Sequence, residues 1–133
     1  MLHLDTSIAV AHLRGDPQVT KRFLQALPLV EVSSVVVAEL TYGVYASIDP
    51  PRARAQFENF LSTVSVIPFD TAAAEAFGGI RFSLRKKGRP IGDLDMLIAA
   101  AAMSRGATLV TRNQKHFSEV DGLVIDDWLD GLT

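Results

Sequence analysis

Five short apolar segments, at residues 2–4, 30–33, 64–67, 107–110 and 123–125, run the length of the chain with stretches of helical spacing between them. Strands that alternate with helices in this way imply a parallel sheet with right-handed crossovers and helices on both faces. The expected fold is α/β, a three-layer α/β/α sandwich on a five-stranded parallel sheet. Helix punctuation agrees with it. Asp16 is placed to cap a helix with Pro17 at its first position and Pro28 just past its end. Ser33 or Ser34 can cap a helix to about Ser47, Asp49 with Pro50 opens one to about Ser62, and Asp70 caps another that ends at Gly88. Gly78 and Gly79 lie inside that last helix and mark either a bend or a close backbone contact. From Gly92 to Arg105 the pattern is apolar nearly all round, with Gly106 as the C-terminal cap, so this helix should be buried against the sheet.

The chain has 133 residues, the size of one domain, and no linker, repeat or low-complexity segment interrupts it. Residues 1–133 are therefore expected to form a single unit. The absence of cysteine excludes disulfides, thiolate metal sites and cysteine nucleophiles, and points to a reducing compartment. No apolar run approaches the roughly 20 residues of a membrane span, and the first residues lack the pattern of a signal peptide. A cytoplasmic protein with no membrane contact is the expectation. The net charge of −2 excludes a globally basic nucleic-acid binder but leaves room for a local basic patch.

Ligands of open α/β sheets bind beyond the carboxyl ends of the strands. Asp5 ends the first strand and is followed by Thr6 and Ser7, whose hydroxyls can cap the next helix or hydrogen-bond the Asp5 carboxylate. A plain helix-capping role explains Asp5 about as well. Glu39 lies among apolar neighbours with no lysine or arginine at helical spacing, so its carboxylate needs a partner from elsewhere, either an ion pair or a metal. Asp93 and Asp95 open the apolar helix, where the helix dipole favours anions without any function. Carboxylates brought together would repel, at a cost on the order of 4 kcal/mol for one pair 4 Å apart at an effective dielectric of 20. A cation would relieve this. Oxygen-only ligands suit Mg²⁺ or Mn²⁺ better than zinc, and such an ion can orient water against a phosphodiester.

The segments Leu4-Asp5-Thr6-Ser7, Ala38-Glu39-Leu40-Thr41-Tyr42-Gly43, Ile91-Gly92-Asp93-Leu94-Asp95-Met96-Leu97-Ile98-Ala99-Ala100 and Leu109-Val110-Thr111-Arg112-Asn113, the last followed by His116-Phe117, occur in order along the chain. In order and spacing they resemble the successive motifs of PIN-domain ribonucleases, and the length is most similar to the VapC toxins of bacterial type II toxin-antitoxin modules. The resemblance implies a strand order of 3-2-1-4-5 and a site at the switch between strands one and four. It implies metal ligands at Asp5, Glu39 and Asp95, with Mg²⁺ or Mn²⁺ as cofactor. The fourth acidic position is Asn113 here, which puts a second tightly held ion in doubt while leaving an amide to ligate or to orient water. Asp5, Glu39, Asp95 and Asn113 are then the expected catalytic set, with Thr6, Ser7, Asp93, Thr111 and Arg112 as supports. Turn and cap roles account equally well for the three hydroxyls.

The implied activity is metal-dependent cleavage of RNA to 5′-phosphate and 3′-hydroxyl ends by a homodimer whose cognate VapB-like antitoxin blocks the site. Two other readings stand beside it. One is a PIN nuclease of housekeeping RNA processing; the other is a non-catalytic, receiver-like module that accepts phosphate on a strand-end aspartate and has no need of Glu39. The densest basic stretch, Arg81, Arg85, Lys86, Lys87 and Arg89, either neutralises RNA phosphates or is a solvated helix end. His3, His12 and His116 lack metal-site spacing, and Phe57, Phe60, Phe117 and Trp128 read as packing residues.

Overall fold

A computed structural model describes residues 1–128. Its strands are β1 (Leu2–Leu4), β2 (Val30–Ser33), β3 (Ser65–Ile67), β4 (Thr108–Val110) and β5 (Ile125–Asp126). They form one parallel sheet flanked by helices, as the alternation of segments implies, in the order β3-β2-β1-β4-β5 that the family resemblance implies. β1 and β2 fall where the sequence places them. β5 begins two residues later than expected, because the Leu123 N–H is drawn into a turn on Val120 O and sheet pairing starts with Leu109 N–H donating to Val124 O.

The helices are α1 (Thr6–Leu13), α2 (Pro17–Ala26), α3 (Ser34–Tyr45), α4 (Pro50–Leu61), α5 (Thr71–Lys87), α6 (Asp93–Ser104) and the short α7 (Gln114–Phe117). Their starts are set locally. The side chains of Asp16, Ser33, Asp49 and Asp70 each accept a hydrogen bond from a backbone N–H of the first turn, satisfying donors that have no partner inside the helix. Pro28 does not simply follow α2; it sits in a 3₁₀ turn, Leu27–Leu29, that leads into β2. α5 ends at Gly88 with φ of +68°, a left-handed conformation that glycine adopts without steric cost. Its internal pair, Gly78 and Gly79, makes no close backbone contact, since a Cβ on either would meet nothing within 4 Å and the helix runs on through both.

The core joins strand residues Leu4, Val30, Val32, Leu109 and Val110 to the helices. α6 is the most enclosed helix, with Ile98, Ala99, Ala100, Ala101 and Ala102 buried in succession and α5 packed along it. A helix apolar on every side has to be covered on every side, and its alanines let neighbours approach closely. Phe57, Phe60, Phe117 and Trp128 are all buried as packing residues. Among the described residues no helix is long and apolar enough to cross a membrane.

One polar cluster lies inside this core. His3 of β1 and Glu31 of β2 are register partners with no exposed surface, and the His3 ring nitrogen Nδ1 lies 2.7 Å from Glu31 Oε2. Arg105, just past α6, donates to both Glu31 oxygens at 2.8 and 3.0 Å. Burial pushes the Glu31 carboxyl up, but the bonds from Arg105 and His3 outweigh it and hold the group below its usual range. His3 is held below its ordinary value because burial disfavours its charged form, against the pull of Glu31. Among the described residues its Nε2 has no partner, which costs little for a lone pair and much more for an N–H, so neutral His3 donating through Nδ1 fits the site.

Candidate active site

β1 is central, with β2 on one side and β4 on the other, and the strand order changes direction between β1 and β4. Asp5 lies directly past β1, its backbone N–H donating to Val110 O of β4 at 3.0 Å. The site is therefore built where two neighbouring strands end and their following segments diverge. Thr111 continues from β4, buried, and donates its hydroxyl to Asp5 Oδ2. The other carboxylate oxygen, Oδ1, accepts from Ser7 Oγ at 2.6 Å and from the Ile8 backbone N–H at 3.1 Å. Asp5 is thus the N-cap of α1 as well as a buried acid at the switch point.

This small network extends outward. Asn113 N–H donates to Thr111 Oγ1 at 2.9 Å, and Arg112 N–H reaches Ser7 Oγ at 3.4 Å. Four residues named from the sequence, Ser7, Thr111, Arg112 and Asn113, therefore converge on Asp5 from two chain segments more than a hundred positions apart. The Arg112 and Asn113 contacts run through their backbones, and both residues are exposed. Burial pushes the Asp5 carboxyl up, the bonds from Ser7, Thr111 and Ile8 pull it down, and the charge of Asp95 pushes it up again; the net direction is upward. The acid is more easily protonated than a free aspartate because it is desolvated and faces a second acid.

Glu39 reaches the site through Thr6, whose hydroxyl donates to Glu39 Oε1 at 2.6 Å. No basic side chain pairs with it among the described residues, so the ion pair that would have made Glu39 structural is absent. Asp95, in the first turn of α6, is half-buried and lies within electrostatic reach of Asp5. Asp93 is the first residue of the same helix and is exposed, facing away into a groove with Arg81, Arg85 and Met96. As the side chains stand, no three acidic or histidine groups among the described residues are close enough together to hold one ion. The donor types do fit a hard divalent cation: Asp5, Glu39 and Asp95 offer only oxygen, and the Asp5–Asp95 repulsion is of the kind a cation relieves.

One neighbour was not visible in the sequence. His116 of α7 places Nδ1 3.4 Å from Asp95 Oδ2. Metal-ligand spacing gave no hint of it, and only its place just after Asn113 in the last motif could have drawn attention to it. Lys87, in contrast, leaves the basic stretch: its ammonium is held by Glu119 O and Asp121 Oδ1, both at 2.8 Å.

A parallel sheet ordered 3-2-1-4-5, with a buried acid at the switch point, further acids on the two helices that face it and hydroxyls bracing them, defines an acidic-site α/β domain suited to phosphate chemistry. More specifically, the chain belongs to the PIN domain family, whose model matches residues 2–123. It is 40% identical over 126 residues to the tRNA(fMet)-specific endonuclease VapC of Shigella flexneri, covering 94% of this chain and 96% of that one. Ribonuclease VapC2 of Rickettsia felis is 35% identical, again over 94% of this chain and 96% of the relative. Among solved structures, a DNA-bound VapBC complex from Salmonella typhimurium contains a chain that matches with a TM-score of 0.92 and 37% identity, over 96% of this chain and 97% of that one. These homologues are VapC ribonucleases, and the structural neighbours are VapBC toxin-antitoxin complexes.

Proposed function

We propose that this chain is a metal-dependent endoribonuclease and the toxin of a VapBC-type toxin-antitoxin pair. The observation that carries the reading is the convergence on Asp5 of Thr111 and Ser7 from the two sides of the sheet switch, in a chain related along nearly its whole length to VapC ribonucleases. Asp5, Glu39 and Asp95 would hold Mg²⁺ or Mn²⁺. Bound there, the ion would supply Lewis acidity toward a phosphoryl oxygen and a water of lowered pKa.

The chain's own residues do the remaining work. Ser7 and Thr111 each hold one Asp5 oxygen, and Thr6 holds one oxygen of Glu39, so that both carboxylates are oriented before substrate arrives. Asn113, tied to Thr111 through its backbone and exposed, would offer its amide to orient water or a phosphate oxygen without adding negative charge. Asp93 stays outside as a helix-start anion. A small antitoxin that covers the acidic site and a homodimer of the toxin complete the reading, with RNA as substrate.

The test is direct. The purified chain should cleave single-stranded or looped RNA in Mg²⁺ or Mn²⁺ and stop in EDTA. Cleavage undiminished by chelation would overturn the metal requirement, and no cleavage with either ion would overturn the nuclease reading.

A further inference from the structure

Beside the acids, a second feature of the site has opposite charge. The loop from α5 to α6 and the short α7 face each other across an open groove of about 270 Å³ whose lining includes Arg89, Pro90, Ile91, Lys115, His116 and Glu119. Specific small-molecule pockets run from about 300 to 1,000 Å³ and enclose most of their ligand. This groove is smaller and open and carries two cations, Arg89 and Lys115, against one acid, Glu119, a form suited to a chain passing through rather than a compact molecule. His116 joins it to the acids, since the same side chain lies 3.4 Å from Asp95. Among the described residues the side chains of Arg89 and Lys115 have no ion pair or hydrogen bond. Their charges therefore face solvent at the edge of a negatively charged site on a protein whose net charge is −2.

We propose that this groove is the track for the substrate's phosphate backbone on one side of the scissile bond, with Arg89 and Lys115 each contacting a phosphate. This deepens the nuclease reading and rests on it. Acidic carboxylates repel a polyanion, so a strand can be held against them only if nearby cations offset that field. The neighbouring groove is the natural alternative, being lined by Arg81 and Arg85, and like the first it carries one acid, Asp93, on its wall. What sets it apart is that, among the described residues, its lining makes no contact with Asp5 or Asp95 that corresponds to the His116–Asp95 pair. An acidic partner polypeptide is a different occupant for the Arg89–Lys115 groove, and the experiment separates it from RNA.

The assay uses a fluorescein-labelled, unstructured 12-nucleotide RNA. Its affinity is followed by anisotropy in EDTA across a KCl series, and its cleavage by steady-state kinetics with Mn²⁺. Each single-strand phosphate contact contributes about 0.7 to the slope of log affinity against log salt. The double variant Arg89→Ala, Lys115→Ala should therefore lose about 1.4 from the wild-type slope and raise KM with kcat little changed, the signature of lost uniform binding. Arg81→Ala with Arg85→Ala should leave slope and KM near wild type. The proposal is overturned if the Arg89/Lys115 variant keeps the wild-type slope and KM, as it would if the groove served a polypeptide. It is equally overturned if the Arg81/Arg85 variant loses as much, because the effect would then be diffuse charge. A wild-type chain that neither binds nor cuts the RNA overturns the nuclease reading itself, a result distinct from both.

Discussion

Asp5 is both helix cap and candidate metal ligand, and two substitutions separate these roles. In Asp5→Asn the remaining carbonyl oxygen keeps the bonds from Ser7 Oγ and Ile8 N–H, and the new amide faces Thr111 Oγ1 in place of Oδ2. Thr111 has a lone pair to accept it, although that oxygen also receives Asn113 N–H. One neutral hydrogen bond is rearranged, at about 1 kcal/mol. In return a buried charge that faces Asp95 disappears. Asparagine is as good an N-cap as aspartate. The metal-free Asn variant should therefore unfold within about 1 kcal/mol of wild type or above it. Asp5→Ala loses the cap and both hydroxyl bonds, which sums to about 3 kcal/mol.

The pH dependence has a definite sign. Because the folded carboxyl is held above its usual 3.8, the folded state binds more protons than the unfolded chain from there up to the folded pKa, and wild type loses stability as pH rises through that window. The Asn variant lacks this loss, so its stability relative to wild type should improve from below pH 3.8 toward neutrality. Urea unfolding in EDTA at several pH values measures both effects, and an RNA cleavage assay with Mn²⁺ should show activity reduced at least about 100-fold in each variant. An Asn variant as unstable as Ala, or one that still cuts RNA, would refute the dual role.

Two further expectations concern other acids. Asp95→Asn should weaken Mn²⁺ binding by calorimetry and reduce kcat by about 100-fold or more, while the exposed Asp93→Asn changes either by less than about threefold; the reverse pattern would move the ligand assignment two residues. Glu31→Gln should cost about 2–4 kcal/mol at neutral pH by urea unfolding, since it sets an amide donor against the Arg105 donors in a buried site. The Glu31 carboxyl is held below its usual 4.5, so its stabilisation is present above that value and is lost as pH falls through the lower folded pKa; the gap to wild type should close in acid, and a gap independent of pH would contradict the ion-pair account.

What could be read in the sequence was what is decided locally. Asp16, Ser33, Asp49 and Asp70 cap their helices because a short polar side chain bonds an N–H two or three residues on, a relation visible in the order of residues alone. The parallel sheet followed from alternation, Asp5 stood out as an acid at a strand end and Glu39 as one among apolar neighbours, whereas only the family resemblance favoured Asp95 over Asp93. α1 was harder to delimit, since Asp5 is its cap and the last residue before it at once, and Ile8 to Ala11 show no clean polar face. The contacts that stayed hidden join distant positions: Glu31 to Arg105 across 74 residues, His3 to Glu31 across 28, and His116 to Asp95 between separate elements. Nothing local announces these pairs. A charged residue in β2 looks like an interruption of the strand until the facing strand is known to carry histidine.

The central place of β1 also has a consequence for synthesis. Its first neighbour in the sheet, β2, follows soon after it, but its second, β4, comes only at Thr108–Val110, and Thr111 directly behind that strand completes the bonding of Asp5. A chain emerging from the ribosome thus presents Asp5 before the strand and hydroxyl that set it in place. Until β4 docks, one edge of β1 is left with unpaired backbone groups and Asp5 has only its helix-cap contacts.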